Sequence, residues 1–226
     1  MSTLVLCSGG LDSVTLAYKV HAESHLSYLL SFDYGQRHKK ELNFAEKASS
    51  ALGVPHEIID ISNLTKILGS SALTDSTPVP DGHYAEQSMM TTVVPNRNPI
   101  MLTIAFALAA RENLQTVAAA VHAGDHFIYP DCRPEFVDAF REMQLLALDG
   151  VSKIDLYAPF VGSSKADIVS VGSELDVPFQ ETWSCYKGLE RHCGRCGTCV
   201  ERLEAFHLAD IDDPTSYDDT EFWKTA

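Results

Sequence analysis

Apolar runs of strand length alternate with segments of helical periodicity along most of this chain. The runs predicted to form strands are residues 4–6, 26–32, 55–61 and 116–121. The segments predicted to form helices are residues 14–20, 39–52, 100–110 and 134–148, with Gly53 as a C-terminal cap and Pro134 at a first helical position. Because regular alternation of this kind is typical of helices that cover a parallel sheet, we predict an α/β fold with a doubly wound parallel sheet.

Two stretches interrupt this pattern. Residues 69–98 are rich in glycine and proline, and a connection of this length inside a compact domain is usually a lid or a binding loop. We expect it to lie over the active site. From Asp210 onward the chain is acidic and has no clear period, so we expect this tail to wrap the surface or to be partly mobile.

Composition narrows the class of protein. The chain has 226 residues, of which 45% are hydrophobic and 21% charged, values typical of one enzyme-sized soluble unit. Its net charge of -14 argues against nucleic acid and anionic membranes as partners. The longest apolar-rich stretch, residues 100–110, is too short to span a membrane, and the N-terminus lacks the features of a secretory signal. We therefore expect a cytoplasmic protein.

A glycine pair with neighbouring hydroxyl and carboxyl groups follows the first predicted strand. The nucleotide-binding segment predicted here consists of Cys7, Ser8, Gly9, Gly10, Leu11, Asp12, Ser13, Val14 and Thr15. Its glycines and the helix start that follows direct backbone N–H groups towards an anion, while Asp12 is placed to bind Mg²⁺. The lysine of a P-loop is absent, which favours cleavage between the α and β phosphates of ATP. The alternative is an ordinary glycine turn that caps a helix.

Four of the six cysteines cluster near the C-terminus. Cys193, Cys196 and Cys199 follow one another at three-residue steps, and Cys185 precedes them. This spacing predicts a structural Zn²⁺ site, since four thiolates leave no coordination position for water. The alternatives are two disulfides or unligated buried thiols. His192 and His207 are left out as ligands.

Four polar segments lie where predicted loops meet strands or helices. They are Asp33–His38, Pro95–Pro99, Tyr129–Pro134 and Ser164–Asp167. Taken singly, each also fits a turn, a solvated charge or a surface ion pair.

Taken together, these motifs resemble one family. The loop Ser8–Ser13 resembles the pyrophosphate-binding loop of the adenylating ATP pyrophosphatases, or PP-loop enzymes. The full set, from Leu4 to about Phe206, resembles the 7-cyano-7-deazaguanine synthases of the queuosine pathway, although Gly124–Tyr129 departs in detail from the family's form. The expected organisation is a nucleotide-binding domain over residues 1–180, a zinc-binding segment over 181–209 and an acidic tail over 210–226.

The resemblance implies an ATP-dependent ligase that converts 7-carboxy-7-deazaguanine and ammonia into the nitrile, through an adenylate and an amide. It also implies ATP, Mg²⁺ and structural Zn²⁺ as cofactors, and a homodimer. Assigned by residue type, the catalytic set is Asp12, Ser13, Arg97, Arg133 and Lys165, and the substrate-binding set is Tyr34, Gln36, Arg37, Tyr129, Asp131 and Trp183. In this hypothesis the arginines and the lysine neutralise charge on the phosphates or on the substrate carboxylate. Asp131 accepts hydrogen bonds from the guanine-like edge of the substrate, and an aromatic ring stacks on its base. Cys7 and Cys132 are interpreted as packing residues.

Two other functions remain open from the residues alone. One is a PP-loop enzyme that modifies tRNA, which the acidic balance and the limited length disfavour. The other is a non-catalytic nucleotide-binding module stabilised by the cysteine segment.

Overall fold

A parallel sheet forms the centre of this computed structural model. The structure describes residues 1–68 and 70–226, without the side chains of residues 65, 66 and 68. The strands in this part of the chain are β1 (Thr3–Leu6), β2 (Leu26–Asp33), β3 (His56–Asp60), β4 (Thr116–Ala118) and β5 (Asp155–Tyr157). Their order is β3-β2-β1-β4-β5, and neighbouring strands are parallel. The predicted doubly wound parallel sheet is confirmed, and the direction of winding reverses between β1 and β4.

Helices cover both faces of the sheet. They are α1 (Leu11–Ala22), α2 (Glu41–Leu52), α3 (Ser62–Leu68), α4 (Arg97–Arg111), α5 (Pro134–Ala147), α6 (Lys165–Glu174) and α7 (Gly197–Leu208). Successive strand residues enter opposite cores, because side chains alternate across a sheet: Leu4 packs with α4 and α5, and Val5 packs with α1, α2, α6 and α7. Within the described ranges, no helix is long and apolar enough to cross a membrane.

The predicted boundaries differ from the structure where polar residues begin a helix. Residues 97–99 were expected in the long loop, but α4 begins at Arg97. Pro99 is accommodated because a backbone N–H in the first helical turn has no partner within the helix. Three elements, α3, α7 and β5, were not predicted, and β4 ends at Ala118 rather than at residue 121.

The long connection before α4 packs against the cysteine segment. Gly69, its first predicted residue, lies outside the described residues. Ala72, Leu73 and Met89 are buried, and residues 87–92 form a short 3-10 helix. The backbone of Asp81 forms an isolated antiparallel β-bridge with that of Cys196. These contacts make the connection a packed wall, while its function as a lid remains a prediction.

The acidic tail wraps the surface of α7, as one of the two expectations had it. Asp213 lies 2.9 Å from the Nε of Arg202, whose side chain is completely buried. The hydroxyl of Tyr217 donates to Asp213 over 2.6 Å, and the Tyr217 ring packs against His192. Because a buried guanidinium needs a paired charge, the tail completes the environment of Arg202.

Candidate active site

A cavity of about 260 Å³ opens at the carboxyl ends of β1 and β4. Ligands bind at this place in doubly wound sheets because the connections on either side of the reversal point leave in opposite directions and open a crevice. From the predicted sets, the lining contains Cys7, Ser8, Gly10, Leu11, Asp12, Ser13, Tyr34, Arg97, Tyr129, Lys165 and Trp183. The fold therefore brings residues from six separate segments to one site.

The loop between β1 and α1 is held closed by its two serines. The backbone N–H of Ser8 donates to Ser13 Oγ over 3.1 Å, and the two hydroxyls lie 3.2 Å apart. Ser13 also donates to the carbonyl of Gly10 over 3.1 Å. Gly10 is the N-cap residue of α1 and has no side chain to bond the first N–H groups of the helix. These donors lie beside the cavity and suit a phosphate.

The carboxylate of Asp12 lies close to the side chains of Lys165 and His122. Its Oδ2 is 3.2 Å from Lys165 Nζ and 3.7 Å from His122 Nε2. Its Oδ1 is buried and has no hydrogen-bond partner, which is unfavourable for a carboxylate unless a ligand is bound there. A hard cation such as Mg²⁺ fits this oxygen.

Lys165 is the first residue of α6 and remains charged in its buried position. The helix starts with a capping box between Ser164 and Asp167, which fixes its first turn. Burial by itself lowers the pKa of Lys165, but the carboxylates of Asp12 and Glu201 raise it well above its usual range. The ammonium group is therefore available to neutralise a phosphate or a developing negative charge.

Aromatic side chains and a guanidinium form the opposite wall. Arg97 donates to the Tyr34 hydroxyl over 3.3 Å and also lies over the ring of Tyr34. The hydroxyl of Tyr84 donates to Asp125 over 2.6 Å. Tyr129 is buried beside them. A flat, uncharged base with a carboxylate substituent would find stacking surface and a cation on this wall.

Several predicted site residues lie outside the cavity. Arg37 is exposed and donates to the carbonyls of residues 75 and 77, and Arg133 is exposed and donates to the carbonyl of residue 126. Gln36 is buried against the backbone of β2 and Glu41. Asp131 accepts from the backbone N–H of Asn98 at the start of α4. Gly9, Val14 and Thr15 belong to the loop and to α1 without lining the cavity.

Trp183 reaches the cavity, but its ring is already in contact with protein groups. It stacks on Phe44 at 5.7 Å, lies 4.2 Å from His192 and has Lys40 Nζ 4.2 Å from its centroid. Its indole N–H donates to the carbonyl of Cys185. These contacts make it a link between the cavity and the cysteine segment rather than an open stacking surface.

Sequence reasoning missed several titratable groups at the site, among them Glu41, His122, Asp125 and Glu201. His122 and Asp125 follow the buried strand β4, and the carboxyl end of a buried parallel strand is a signal that could have found them. Asp125 stays ionised: burial raises its pKa, but the nearby cationic groups and the hydrogen bond from Tyr84 together lower the pKa overall.

Glu41 and His38 are both neutral near pH 7. Burial raises the pKa of Glu41 to about 8, partly opposed by a hydrogen bond from Gln36 and by the charge of Arg97. Burial, together with the charges of nearby arginines, lowers the pKa of His38 to about 3. The two side chains are 3.6 Å apart. This part of the cavity therefore adds little charge to the phosphate-binding end.

Replacing Glu41 by glutamine should remove one source of pH-dependent stability. Between about pH 4.5 and 8 the folded chain keeps a proton on Glu41 that the unfolded chain has released, so the free energy of unfolding falls as the pH rises. Relative to Glu41→Gln, the wild type should lose on the order of 5 kcal/mol across this window. Urea unfolding of both proteins at several pH values measures the difference. The exposed Glu46→Gln on the same helix is the control, and a Glu41→Gln difference that does not vary with pH would contradict the assignment.

The four cysteines near the C-terminus converge on one point. Their Sγ atoms all lie within 4.8 Å of one another, and those of Cys193 and Cys199 are 3.9 Å apart. Tetrahedral zinc thiolates, with Zn–S bonds of about 2.3 Å, require S–S distances of about 3.8 Å. All six cysteines of the chain are free thiols, and His192 is occupied as the acceptor of the backbone N–H of Ser184. The cluster fits a metal ion held by four thiolates.

Cationic side chains near this cluster are paired with acidic residues. Lys187 and Arg195 both pair with Asp81, and Arg195 also pairs with Asp219. Gly194 approaches the same tail so closely that a Cβ would lie 1.7 Å from the carbonyl oxygen of Asp219. The tail and the long connection therefore hold the cysteine turn from two sides.

The fold and the loop define a nucleotide-binding α/β protein of the PP-loop type. The solved structure of NMN synthetase from Francisella tularensis has a similar fold, with a TM-score of 0.54 and 14% sequence identity over 93% of this chain and 78% of that one. A family model described as "Queuosine biosynthesis protein QueC" matches residues 2–210.

Full-length relatives agree with the family model. Proteins named 7-cyano-7-deazaguanine synthase from Rhizobium rhizogenes and Rhizobium meliloti are 67% and 66% identical over all 226 residues, and the alignment covers 96% of each. The chain belongs to the QueC family and is an enzyme of queuosine biosynthesis.

Proposed function

We propose that this enzyme is an ATP-dependent carbon–nitrogen ligase that converts 7-carboxy-7-deazaguanine and ammonia into 7-cyano-7-deazaguanine. The observation that carries the proposal is the convergence of the Ser8–Ser13 loop, the Asp12–Lys165 pair and Arg97 on one cavity. The names and the full-length identity of the relatives support the choice of product.

The chemistry explains why a nucleotide site and a carboxylate site must adjoin. A carboxylate resists attack by ammonia because oxide is a poor leaving group. Transfer of AMP to the carboxylate, with release of pyrophosphate, replaces oxide by a phosphate leaving group. Ammonia then displaces AMP and gives the amide, and a second activation at the amide oxygen followed by loss of AMP and a proton leaves the nitrile.

The phosphate end of the cavity has a defined set of roles in this proposal. The Ser8–Ser13 loop binds the departing pyrophosphate through its N–H groups and hydroxyls. Lys165 neutralises charge at the phosphorus that is attacked. Asp12 would hold Mg²⁺ through its unpartnered Oδ1, and the ion would supply further positive charge to the phosphates.

The substrate end orients the base. Arg97 binds the carboxylate, and the rings of Tyr34 and Tyr129 provide the apolar walls. We assign recognition of the guanine-like edge to Asp125 in place of Asp131, because Asp125 lines the cavity and is ionised. Its carboxylate can accept from the ring N–H and the exocyclic amine.

The test is direct. Purified protein is incubated with ATP, Mg²⁺, ammonium and 7-carboxy-7-deazaguanine, and the products are followed by mass spectrometry. We expect the nitrile in the complete mixture and neither amide nor nitrile when ammonium is omitted. Absence of the nitrile under conditions where calorimetry shows ATP binding would overturn the proposal, and tight, salt-sensitive binding of tRNA would point to a tRNA-modifying enzyme instead.

We further propose that the metal of the cysteine cluster is Zn²⁺ in a structural role. Cys199→Ser should lose most of the metal measured per chain and lower the melting temperature, because metal binding contributes folding free energy, about 10 kcal/mol in small zinc domains. Cys132→Ala is the matched control, since Cys132 is buried but distant in sequence from the cluster. Unchanged metal content in Cys199→Ser would contradict the assignment, and elemental analysis identifies the ion.

Assembly and location complete the proposal. Free thiols are typical of a reducing compartment, which supports the cytoplasm. A homodimer is supported by the exposed apolar side chains Met143, Leu145 and Leu146 on α5, and sedimentation of the full chain tests it. The division into residues 1–180, 181–209 and 210–226 stays part of the proposal, although α7 packs into the same core as α1 and α6.

A further inference from the structure

Glu201 is a buried carboxylate that joins the cysteine segment to the nucleotide loop. It lies on α7, two residues after Cys199, and its Oε2 is 2.7 Å from Lys165 Nζ. Lys165 Nζ in turn lies 3.2 Å from Asp12 and 3.4 Å from His122 Nε2. Its ammonium group is thus held between a carboxylate of the nucleotide loop and a carboxylate of α7.

The position of Glu201 is also fixed from its other side. A Cβ on Gly124 would lie 2.7 Å from Glu201 Oε1, so the backbone after β4 packs directly against this carboxylate. The cysteine cluster begins α7, with Cys196 as its N-cap residue and Cys199 in the first turn. The location of the carboxylate is therefore set by the cluster, by the loop after β4 and by Lys165 together.

We propose that Glu201 is a positioning residue that holds Lys165 at the phosphate-binding end of the cavity. With Asp12 as its only carboxylate partner, Nζ would be free to follow whichever ligand binds Asp12. A second carboxylate, on α7, defines where the ammonium group lies when the phosphates enter. This inference rests on the proposed function for the role of Lys165, and on geometry alone for the role of Glu201. It also gives the cysteine segment a part in the site, because α7 carries the group that orients the lysine.

Kinetics of matched variants test the role. Glu201→Gln keeps the shape of the side chain, and we expect a loss in kcat of about 10- to 100-fold with less than about a threefold change in ATP affinity, because the loop that binds ATP is intact. Gly124→Ala removes no charge but displaces the carboxylate together with the His122 ring, which the added Cβ would approach to 2.9 Å. It should lower kcat in the same direction and is read only beside Glu201→Gln. Glu204→Gln, at a partly exposed carboxylate on the same helix that faces His83, should leave kcat unchanged. A fall in melting temperature with unchanged kcat in Glu201→Gln would show a merely structural role and overturn the proposal.

A double-mutant cycle separates positioning from an independent effect. If Glu201 acts through Lys165, adding Glu201→Gln to Lys165→Met should lower kcat no further, and losses that multiply would overturn the proposal.

A measurement that does not depend on turnover separates this inference from the proposed function. Labelling by an amine-reactive reagent, followed by peptide mass spectrometry, should modify Lys165 at least about fivefold faster in Glu201→Gln than in the wild type, with the exposed Lys39 as internal reference. If the wild type makes no nitrile but this difference is present, the function fails and the positioning role stands. If nitrile forms but labelling and kcat are unchanged in Glu201→Gln, the positioning role fails alone.

Discussion

Replacing Asp12 by alanine is expected to lower ATP-dependent turnover by about 10³-fold or more while leaving the fold and the metal content of the cysteine cluster intact. Asp12 contributes an unpartnered buried oxygen to the phosphate end of the cavity and a carboxylate 3.2 Å from Lys165. Its loss removes the group that fits a hard cation and one of the two carboxylates that flank the lysine. The fold should survive because Lys165 keeps its bond to Glu201.

The measurement is steady-state turnover together with ATP affinity, melting temperature and metal per chain. Asp149→Ala, an exposed aspartate after α5, is the matched control, and Asp12→Asn tests whether the charge or the shape is needed. Turnover within about tenfold of the wild type in Asp12→Ala would exclude Asp12 from the catalytic machinery, whereas loss of folding in that variant would make Asp12→Asn the deciding measurement.

Replacing Gly9 by alanine should have the second large effect. Gly9 has a φ of +88°, and a Cβ would lie 2.1 Å from the carbonyl oxygen of Glu41 and 2.8 Å from the backbone nitrogen of Ala45. Because both contacts are with the backbone of α2, no rotamer change relieves them, and the nucleotide loop must move. We expect a loss of about 3 kcal/mol in the free energy of unfolding and a loss of ATP binding of about 100-fold.

Gly53→Ala is the matched control for this variant. Gly53 also has a positive φ, of +66°, but nothing lies within 4 Å of the Cβ that alanine would add. It should therefore show only the conformational cost of the left-handed region, about 1 kcal/mol, with normal ATP binding. Equal effects of the two substitutions, measured by urea unfolding and calorimetry, would show that the close approach to α2 is unimportant.

Local chemistry made much of the site predictable. The Ser8–Ser13 loop lies between a strand and a helix because the apolar run and the glycine pair are adjacent in sequence. Lys165 follows a serine that caps its helix, and the three-residue steps of the cysteines bring their sulfur atoms together. In each case the residues that act together are close in the chain.

Residue type alone did not predict which polar groups would face the cavity. Arg97 and Arg133 look alike in sequence as cations in proline-containing polar segments, yet Arg97 begins α4 beside Tyr34 and Arg133 turns outward to a carbonyl. Asp125 and Asp131 are six residues apart. The first lines the cavity, whereas the second accepts a hydrogen bond from a backbone N–H at the start of α4. The direction in which each of these side chains points depends on where a helix starts and on short 3-10 turns. Hydrophobic periodicity resolves neither of these features.

The sequence by itself determined the parallel α/β class, the nucleotide loop, the cysteine cluster and the family, because each depends on the order and spacing of neighbouring residues. Only the tertiary structure decided that β1 and β4 are neighbours, that Glu201 of α7 meets Lys165 of α6, and that the acidic tail pairs with the buried Arg202. The first two contacts join residues far apart in the chain, and the third joins a helix to a segment without periodicity. The geometry of these contacts depends on the order of the strands in the sheet and on buried charged groups that need partners. Neither the strand order nor the partner of a buried charge can be predicted from one segment of the sequence.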